Sequence, residues 1–150
     1  TLSRVARVPG IVTLDIAGDA AALGQLWAAR KALSPALRSI ASGKINEDVV
    51  VPVSRIPALC RAISGWRSEL GLPIVVFGHA GNGNLHVNFL YEPADPAQQQ
   101  AARRGLALLF ETVLALGGTL SGEHGIGLDK RDWLPRAVGA PALLRMRQLK

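Results

Sequence analysis

Residues 74–90 read IVVFGHAGNGNLHVNFL, with an apolar run on each side of a glycine-rich polar centre. Short apolar and β-branched runs bounded by glycine and asparagine are typical of strands. Asn82-Gly83 favours a two-residue type I′ turn, because Asn and Gly tolerate the positive φ that both turn positions require. The stretch therefore predicts an antiparallel hairpin with strands at about 74–77 and 85–90.

The hairpin carries two of the three histidines of the chain. With Asn82 and Gly83 at the centre of the turn, His79 is expected to face His86, with the two Cβ atoms about 4.5–5.5 Å apart on one side of the sheet. Two imidazoles placed in this way can share one metal ion, and Asn88 points to the same face as His86. The alternative is a tight glycine-rich turn with two partly exposed histidines.

Strand and helix patterns alternate through the rest of the chain. Strands are predicted at residues 11–16 and 49–53, and an irregular stretch is predicted from Pro35 to Gly43. Helices are predicted from the Asp19 cap to about Leu33, from the Ser54 cap to about Leu70, at 97–116, at 132–137 and at 141–150. The fold class expected is α+β, an antiparallel sheet with helices packed on it.

A second polar motif, Gly-Glu-His-Gly-Ile-Gly, occupies residues 122–127. Glu123 can act as a third metal ligand, since two histidines and one carboxylate leave coordination positions open for a substrate. His124 can act as a general base, because the pKa of imidazole lies near neutrality. The alternative is a glycine-rich helix stop followed by exposed polar residues. The helical His-Glu-x-x-His motif is absent, which disfavours a standard metalloprotease.

Arg30, Lys31 and Lys44 are candidates for binding an anionic substrate, with Ser34 one helical turn after Arg30. The alternative for each is an ordinary surface charge. The formal charge of +6 is scattered and only 5% of residues are aromatic, so a solvated basic surface is favoured over nucleic-acid binding. The single cysteine, Cys60, excludes an internal disulfide and is expected to be a buried core thiol.

The two motifs together resemble those of a known family. Residues 78–86 are similar to the Gly-His-x-Gly-Asp-Gly-Asn-Leu-His motif of FAD-linked oxidases, and residues 121–127 are similar to their Ser-Gly-Glu-His-Gly-Ile-Gly motif. The family includes enzymes of the glycolate oxidase, D-lactate dehydrogenase and D-2-hydroxyglutarate dehydrogenase types. The resemblance implies that residues 1–150 are part of a C-terminal substrate and metal domain of ferredoxin-like type. It also implies that the FAD-binding domain is absent from this stretch.

The resemblance also implies roles for individual residues. It implies a divalent metal, such as zinc, on His79, His86 and Glu123, and a proton acceptor at His124. It implies that four residues contact the substrate: Arg30, Ser34, Lys44 and Asn88. One departure is visible at Asn82, where the family usually has Asp. Asn-Gly and Asp-Gly form the same turn, so the fold is expected to survive the loss of a negative charge.

The function expected from the resemblance is oxidation of a 2-hydroxy acid to the 2-oxo acid, with hydride passing to FAD. The FAD is expected to be held by an FAD-binding domain of the same full-length protein, and the chain alone is expected to be inactive. Alternatives are a non-catalytic binding module and a metal-dependent hydrolase. The sequence has no apolar run long enough to span a bilayer. A cytoplasmic location is expected, with peripheral membrane attachment through partner subunits as the alternative.

Overall fold

The structure is a computed structural model that describes residue 4 and residues 7–149. It divides into two compact units, residues 1–37 and residues 38–150. The first unit contains helix α1 (Ala20–Ala36). The second contains a sheet and three helices, which are β1 (Gly43–Val50), α2 (Ile56–Leu70), β2 (Ile74–His79), β3 (Asn84–Tyr91), α3 (Pro96–Ala115) and α4 (Leu134–Leu149). The predicted α+β class is confirmed.

Helix α1 begins as predicted, because the Asp19 carboxylate accepts a hydrogen bond from the Ala22 N–H at 2.8 Å. The predicted end at Leu33 is wrong, and so is the predicted start of the irregular stretch at Pro35, since the helix runs on to Ala36. Pro35 lies in the last turn, where its missing N–H removes only one helical hydrogen bond. The predicted strand at 11–16 is also wrong, because these residues pair with no other segment in the described part of the first unit.

The sheet has the strand order β1-β3-β2, and both pairs of neighbouring strands are antiparallel. Strand β1 pairs with β3 along its whole length, from Gly43 opposite Tyr91 to Val50 opposite Asn84. The strand predicted at 49–53 therefore has the wrong bounds, since the polar residues before Val49 belong to it. Their pairing with a central strand outweighs their low intrinsic preference for strands. Pro52, which has no N–H, follows directly after the strand region.

The hairpin between β2 and β3 forms, but with a wider loop than predicted. Residues 80–82 make a short 3-10 turn, and Gly83 alone takes a left-handed conformation, at φ 84°. His79 therefore pairs with Asn84, and His86 pairs with Phe77. The predicted pairing of His79 with His86 is wrong by two residues. Because side chains alternate with a period of two, this offset leaves both histidines on the same face.

Helices α2 and α3 pack on one face of the sheet and form the apolar core with it. Gly105 allows α3 to approach closely, because a Cβ atom there would lie 2.5 Å from the ring of Phe89. Helix α2 ends at Gly71, as predicted, with φ 64°. The predicted N-cap at Ser54 is wrong, since Ser54 lies in the 3-10 turn Val53–Arg55 that precedes the helix.

The last two predicted helical pieces form one kinked element. Residues 131–133 make a 3-10 turn, and α4 follows with non-helical angles at Gly139. Lys150, the predicted end of this region, lies outside the described residues.

The predicted burial of Cys60 is wrong, because its side chain is exposed on α2. The buried stripe of that helix contains its neighbour Leu59 together with Ile63 and Trp66, and Cys60 lies about 100° further around the helix from Leu59. Among residues 4 and 7–149, no helix is long and apolar enough to cross a membrane.

Candidate metal centre

The sheet has one polar face, opposite the face that packs on the helices. Residues that pair across antiparallel strands point to the same side, so the strand register defines the members of this face. They include Lys44, Asn46 and Asp48 on β1, Asn84, His86 and Asn88 on β3, and Phe77 and His79 on β2. Two of the three predicted metal ligands thus lie on one rigid sheet.

The third predicted ligand, Glu123, comes from the loop that follows α3. Its Oε1 lies 3.7 Å from His79 Nε2, and its Oε2 lies 3.8 Å from His86 Nε2. Each of the three residues offers one ligand atom, and these atoms all lie within 4.8 Å of one another. The structure therefore brings together the three residues that the hairpin and the Gly-Glu-His-Gly motif predicted.

The donor set fits a divalent metal such as zinc. Two imidazole nitrogens and one carboxylate oxygen are a common ligand set for zinc that also binds a substrate or water. Zinc–ligand bonds of about 2.0–2.2 Å place tetrahedral ligand atoms roughly 3.4 Å apart. The two carboxylate–imidazole separations exceed this by a few tenths of an ångström, but they involve different oxygens of Glu123, and the three ligand atoms lie within 4.8 Å of one another. Binding of one ion by all three residues therefore requires rotation of the half-exposed side chains of His79 and Glu123.

The protonation state of His86 also suits metal binding. Burial lowers the pKa of His86 below its ordinary value, although the negative charges of Asp48 and Glu123 oppose this in part. A lower pKa favours the neutral imidazole, which is the form that coordinates a metal.

His124, the predicted proton acceptor, lies beside the three ligands. Its ring stacks against that of His86, with centroids 5.7 Å apart and an interplanar angle of 27°. The side chain is exposed, whereas His86 is buried. An exposed imidazole next to the ligand cluster can exchange a proton with a bound substrate or with solvent.

A buried carboxylate, Asp48, holds the loop that presents Glu123 and His124. Its Oδ2 accepts hydrogen bonds from the N–H groups of Gly122, Glu123 and His124, at 2.9, 2.5 and 2.8 Å. The Ser121 hydroxyl donates to the same oxygen at 3.1 Å. Burial raises the pKa of the Asp48 carboxyl, but these donors outweigh burial and hold it well below its ordinary value.

The far side of the loop is held by Lys130, which is buried. Its Nζ donates to the carbonyl oxygens of Leu120 and Asp48, at 2.7 and 3.2 Å. It also pairs with the Glu47 carboxylate at 3.0 Å. Burial raises the pKa of Glu47, and the contact with Lys130 counteracts this rise. One end of the loop is therefore fixed to the Asp48 side chain, and the other end is fixed to Glu47 and to the backbone carbonyl of Asp48.

The predicted substrate-binding residues fall into two groups. Asn88 lies on the polar face, two residues from His86, and is buried. Lys44 lies on the same face, four residues before Asp48, which is roughly 13 Å along a strand. Arg30 and Ser34 lie on α1 in the first unit, one turn apart. The structure thus brings Asn88 near the candidate ligands, places Lys44 further along the same face, and describes Arg30 and Ser34 within a separate unit.

The sequence analysis missed several residues that support this site: Asp48, Asn84, Ser121 and Lys130. A signal was present for Asp48, because Lys44, Asn46 and Asp48 alternate as the polar members of a strand should. The predicted strand began only at Val49 and so did not include these residues. Lys130 carried no sequence signal that distinguishes it from a surface lysine.

Comparison with known proteins identifies the family. The family described as "FAD linked oxidases, C-terminal domain" matches residues 1–150. The chain belongs to this family.

Individual relatives agree with this assignment. The chain is 33% identical over 125 residues to the glycolate oxidase subunit GlcD of Bacillus subtilis, covering 83% of the chain and 27% of that protein. It is 34% identical over 131 residues to a mitochondrial D-lactate dehydrogenase [cytochrome] of Arabidopsis thaliana, covering 84% and 23%. It is 32% identical over 132 residues to the D-2-hydroxyglutarate dehydrogenase of Stutzerimonas stutzeri, covering 85% and 28%. The chain thus spans about a quarter of the length of these relatives.

Proposed function

We propose that this chain supplies the metal-binding and substrate-binding side of the active site of an FAD-dependent dehydrogenase or oxidase of 2-hydroxy acids. The observation that carries the proposal is the convergence of His79, His86 and Glu123, with ligand atoms within 4.8 Å of one another. His124 adds a proton acceptor beside them. Family membership supports the link to a flavin.

The names of the relatives support the substrate class. They refer to glycolate, D-lactate and D-2-hydroxyglutarate, which are all small 2-hydroxy acids. Each carries a hydroxyl next to a carboxylate, a chemistry that suits a metal centre with nearby cationic side chains. We propose the same class for this chain, with the particular acid left to a substrate screen.

The proposed roles follow from the chemistry of each side chain. His79, His86 and Glu123 would hold a divalent metal, which would supply Lewis acidity toward a substrate hydroxyl. His124 takes the hydroxyl proton on its exposed imidazole. An FAD-binding domain of the same full-length protein would hold FAD, which would supply the acceptor for the hydride of C2.

Asn88 has an additional feature that suits substrate binding. Its side-chain N–H₂ group donates to the carbonyl oxygens of Val75 and His86, at 3.2 and 3.3 Å. Those two bonds fix the orientation of the amide. The buried side-chain oxygen then has no hydrogen-bond partner among the described residues. An unsatisfied buried acceptor is costly, so a donor on a bound ligand, such as a hydroxyl, would be favoured there.

Arg30, Ser34 and Lys44 are proposed to bind the substrate carboxylate. Arg offers a two-pronged donor for a carboxylate, and Lys offers a compact positive charge. Loss of affinity for the acid in Arg30→Ala, without loss of bound metal, would support this part of the proposal.

The central test combines metal analysis with flavin reduction in the full-length protein. We expect the double variant His79→Ala, His86→Ala to lose stoichiometric zinc and to stop reducing its flavin when a 2-hydroxy acid is added without oxygen. Glu123→Gln is also expected to lose zinc, because it removes the carboxylate ligand. Glu111→Gln is its matched control and is expected to keep zinc, because Glu111 is an exposed carboxylate on α3 that pairs with Arg136. Unchanged flavin reduction in the double variant would contradict the proposal.

We propose no particular electron acceptor. We propose a cytoplasmic location for the protein, either free or attached to a membrane surface through partner subunits. Turnover that continues after removal of the flavin would instead support a metal-dependent hydrolase.

A further inference from the structure

Asp48 contacts two of the elements that carry candidate ligands, which are strand β3 and the loop after α3. It is fully buried, and it pairs with His86 across the β1–β3 ladder. One carboxylate oxygen binds the loop that contains Glu123 and His124 through three consecutive backbone N–H groups. Successive N–H groups that converge on one point form an anion-binding concavity. Here the bound anion is the carboxylate of Asp48, a side chain of the protein itself.

The second carboxylate oxygen reaches the hairpin. Asp48 Oδ1 accepts a hydrogen bond from Asn84 Nδ2 at 3.0 Å, and Asn84 pairs with His79 across the β2–β3 ladder. One buried side chain therefore bridges the loop that carries Glu123 and the strand that carries His86, and the residue it binds on that strand, Asn84, pairs in turn with His79.

The fit between the loop and the sheet leaves no spare room. A Cβ atom at Gly122 would lie 2.1 Å from Asn84 Nδ2 and 2.8 Å from a methyl group of Val50. A side chain at position 122 would push the loop away from Asp48. The glycine thus allows the backbone to approach closely enough for all three N–H groups to reach the carboxylate.

We propose that Asp48 is the positioning residue that fixes Glu123 and His124 against the two histidines of the sheet. The inference rests on the proposed function, because it assigns Asp48 its role through the metal ligands. A neutral side chain cannot replace it fully, since a charged acceptor makes stronger hydrogen bonds to several N–H groups than an amide oxygen does. Groups that orient metal ligands typically change metal affinity by about 10–100-fold when they are removed.

Glu47 provides a matched control. It is the preceding residue, is also a buried carboxylate, and also accepts a bond from a loop residue, Lys130. It lies on the opposite face of β1, however, and makes no contact with the N–H groups of residues 122–124 among the hydrogen bonds of the described residues. Glu47→Gln therefore removes a buried charge nearby but leaves the N–H groups of residues 122–124 bonded to Asp48, and Lys130 keeps its bonds to the Leu120 and Asp48 carbonyls.

The experiment measures zinc affinity by chelator competition, and amide hydrogen exchange, in the full-length protein. For Asp48→Asn we expect zinc affinity to fall about 10–100-fold. We also expect faster exchange at the amides of residues 122–124, with the sheet amides of β3 still protected. For Glu47→Gln we expect a lower melting temperature with zinc affinity within about threefold of the unmodified protein.

Wild-type zinc affinity and unchanged exchange in Asp48→Asn would overturn the inference. An equal loss of zinc affinity in Glu47→Gln would also overturn it, since the effect would then be one of general stability. If Asp48→Asn does not fold, Ser121→Ala is the second variant, because it removes a single donor to Asp48. A smaller loss of zinc affinity is expected there, and unchanged affinity would count against the inference.

Failure of the proposed function gives a different result. If the unmodified protein binds no zinc, the metal centre is refuted. The exchange measurement still decides whether Asp48 holds residues 122–124 in place.

Discussion

The two faces of the central strand β3 share one backbone and similar burial but have opposite chemistry. On one face, Leu85, Val87 and Phe89 pack against helices α2 and α3. On the other face, Asn84, His86 and Asn88 are also buried, none of them more than 8% exposed. Burial of apolar groups stabilises the fold, whereas burial of polar groups costs free energy unless they are hydrogen-bonded. The comparison indicates that one face maintains the domain, whereas the other face carries His86, one of the candidate metal ligands.

The side-chain oxygens of Asn84 and Asn88 illustrate the cost. Both are buried and have no hydrogen-bond partner among the described residues. On the helix-packed face, by contrast, the buried polar exception is Glu47, which is paired with Lys130. A strand selected only for stability would not keep two unsatisfied acceptors on one face.

The largest expected difference between the two faces concerns Phe89 and His86. Phe89→Ala creates a cavity under α3 and is expected to cost about 3–5 kcal/mol of unfolding free energy. His86→Ala is expected to cost about 1–2 kcal/mol in the metal-free protein, since it removes a group whose burial is already unfavourable in the charged form. Denaturant unfolding of both metal-free variants measures this. An equal loss of unfolding free energy in the two variants would contradict the expected difference between the two faces.

The second prediction concerns the contribution of Asp48 to the stability of the protein in acid. The folded pKa of Asp48 lies below the ordinary value of 3.8, so its contribution to stability is present above that value and is lost as pH falls. The contribution is expected to be roughly 2–3 kcal/mol at neutral pH and to decline from about pH 5 downward. Urea unfolding at several pH values should therefore show the stability difference between the unmodified protein and Asp48→Asn becoming smaller in acid. A difference that stays constant would contradict the assignment of a lowered pKa.

A third prediction tests the close packing of the apolar face. Gly105→Ala places a Cβ atom 2.5 Å from the Phe89 ring, so the helix or the ring must move. Overpacking of this kind typically costs about 1–3 kcal/mol. Gly65→Ala on α2 is the matched control, because no atom lies within 4 Å of the added Cβ there. Thermal unfolding should show a lower melting temperature for Gly105→Ala than for the control.

The smallest expected effect is at Asn82, the position where the family usually has Asp. The side-chain oxygen of Asn82 accepts a hydrogen bond from the Asn84 N–H at 3.1 Å. Asp provides the same acceptor, so Asn82→Asp is expected to change the unfolding free energy by less than about 0.5 kcal/mol. Chemical denaturation checks this, and a larger loss would show that the amide N–H₂ group has a role in the turn.

The hairpin shows which parts of the fold can be predicted from the sequence. Strands β2 and β3, helix α3 and the glycine at the end of α2 follow from local patterns. The pairing of His79 with Asn84 does not, because the loop adopts a 3-10 turn with one left-handed residue instead of two. The face of each histidine was still correct, since an offset of two residues preserves it.

Long-range pairing explains the other errors. Residues 44–48 are polar except for Ile45, and they form a strand because β3 lies beside them. Residues 11–16 show strand-like alternation but have no pairing partner in the described part of the first unit. The candidate ligands could be predicted from the sequence because glycine-rich motifs mark them. The supporting roles of Asp48 and Lys130 could not be predicted, because they depend on contacts with residues far away in the chain.

The contacts of Asp48 also determine the order in which the site can form. The four donors to its Oδ2 atom come from residues 73 to 76 positions later in the sequence. During synthesis on the ribosome, β1, the hairpin and α3 all precede that loop, and contacts of such long sequence separation form late. The histidine pair can therefore exist as part of the sheet while its carboxylate ligand is still unplaced. Until the loop closes over Asp48, the newly made chain has only an incomplete two-histidine site.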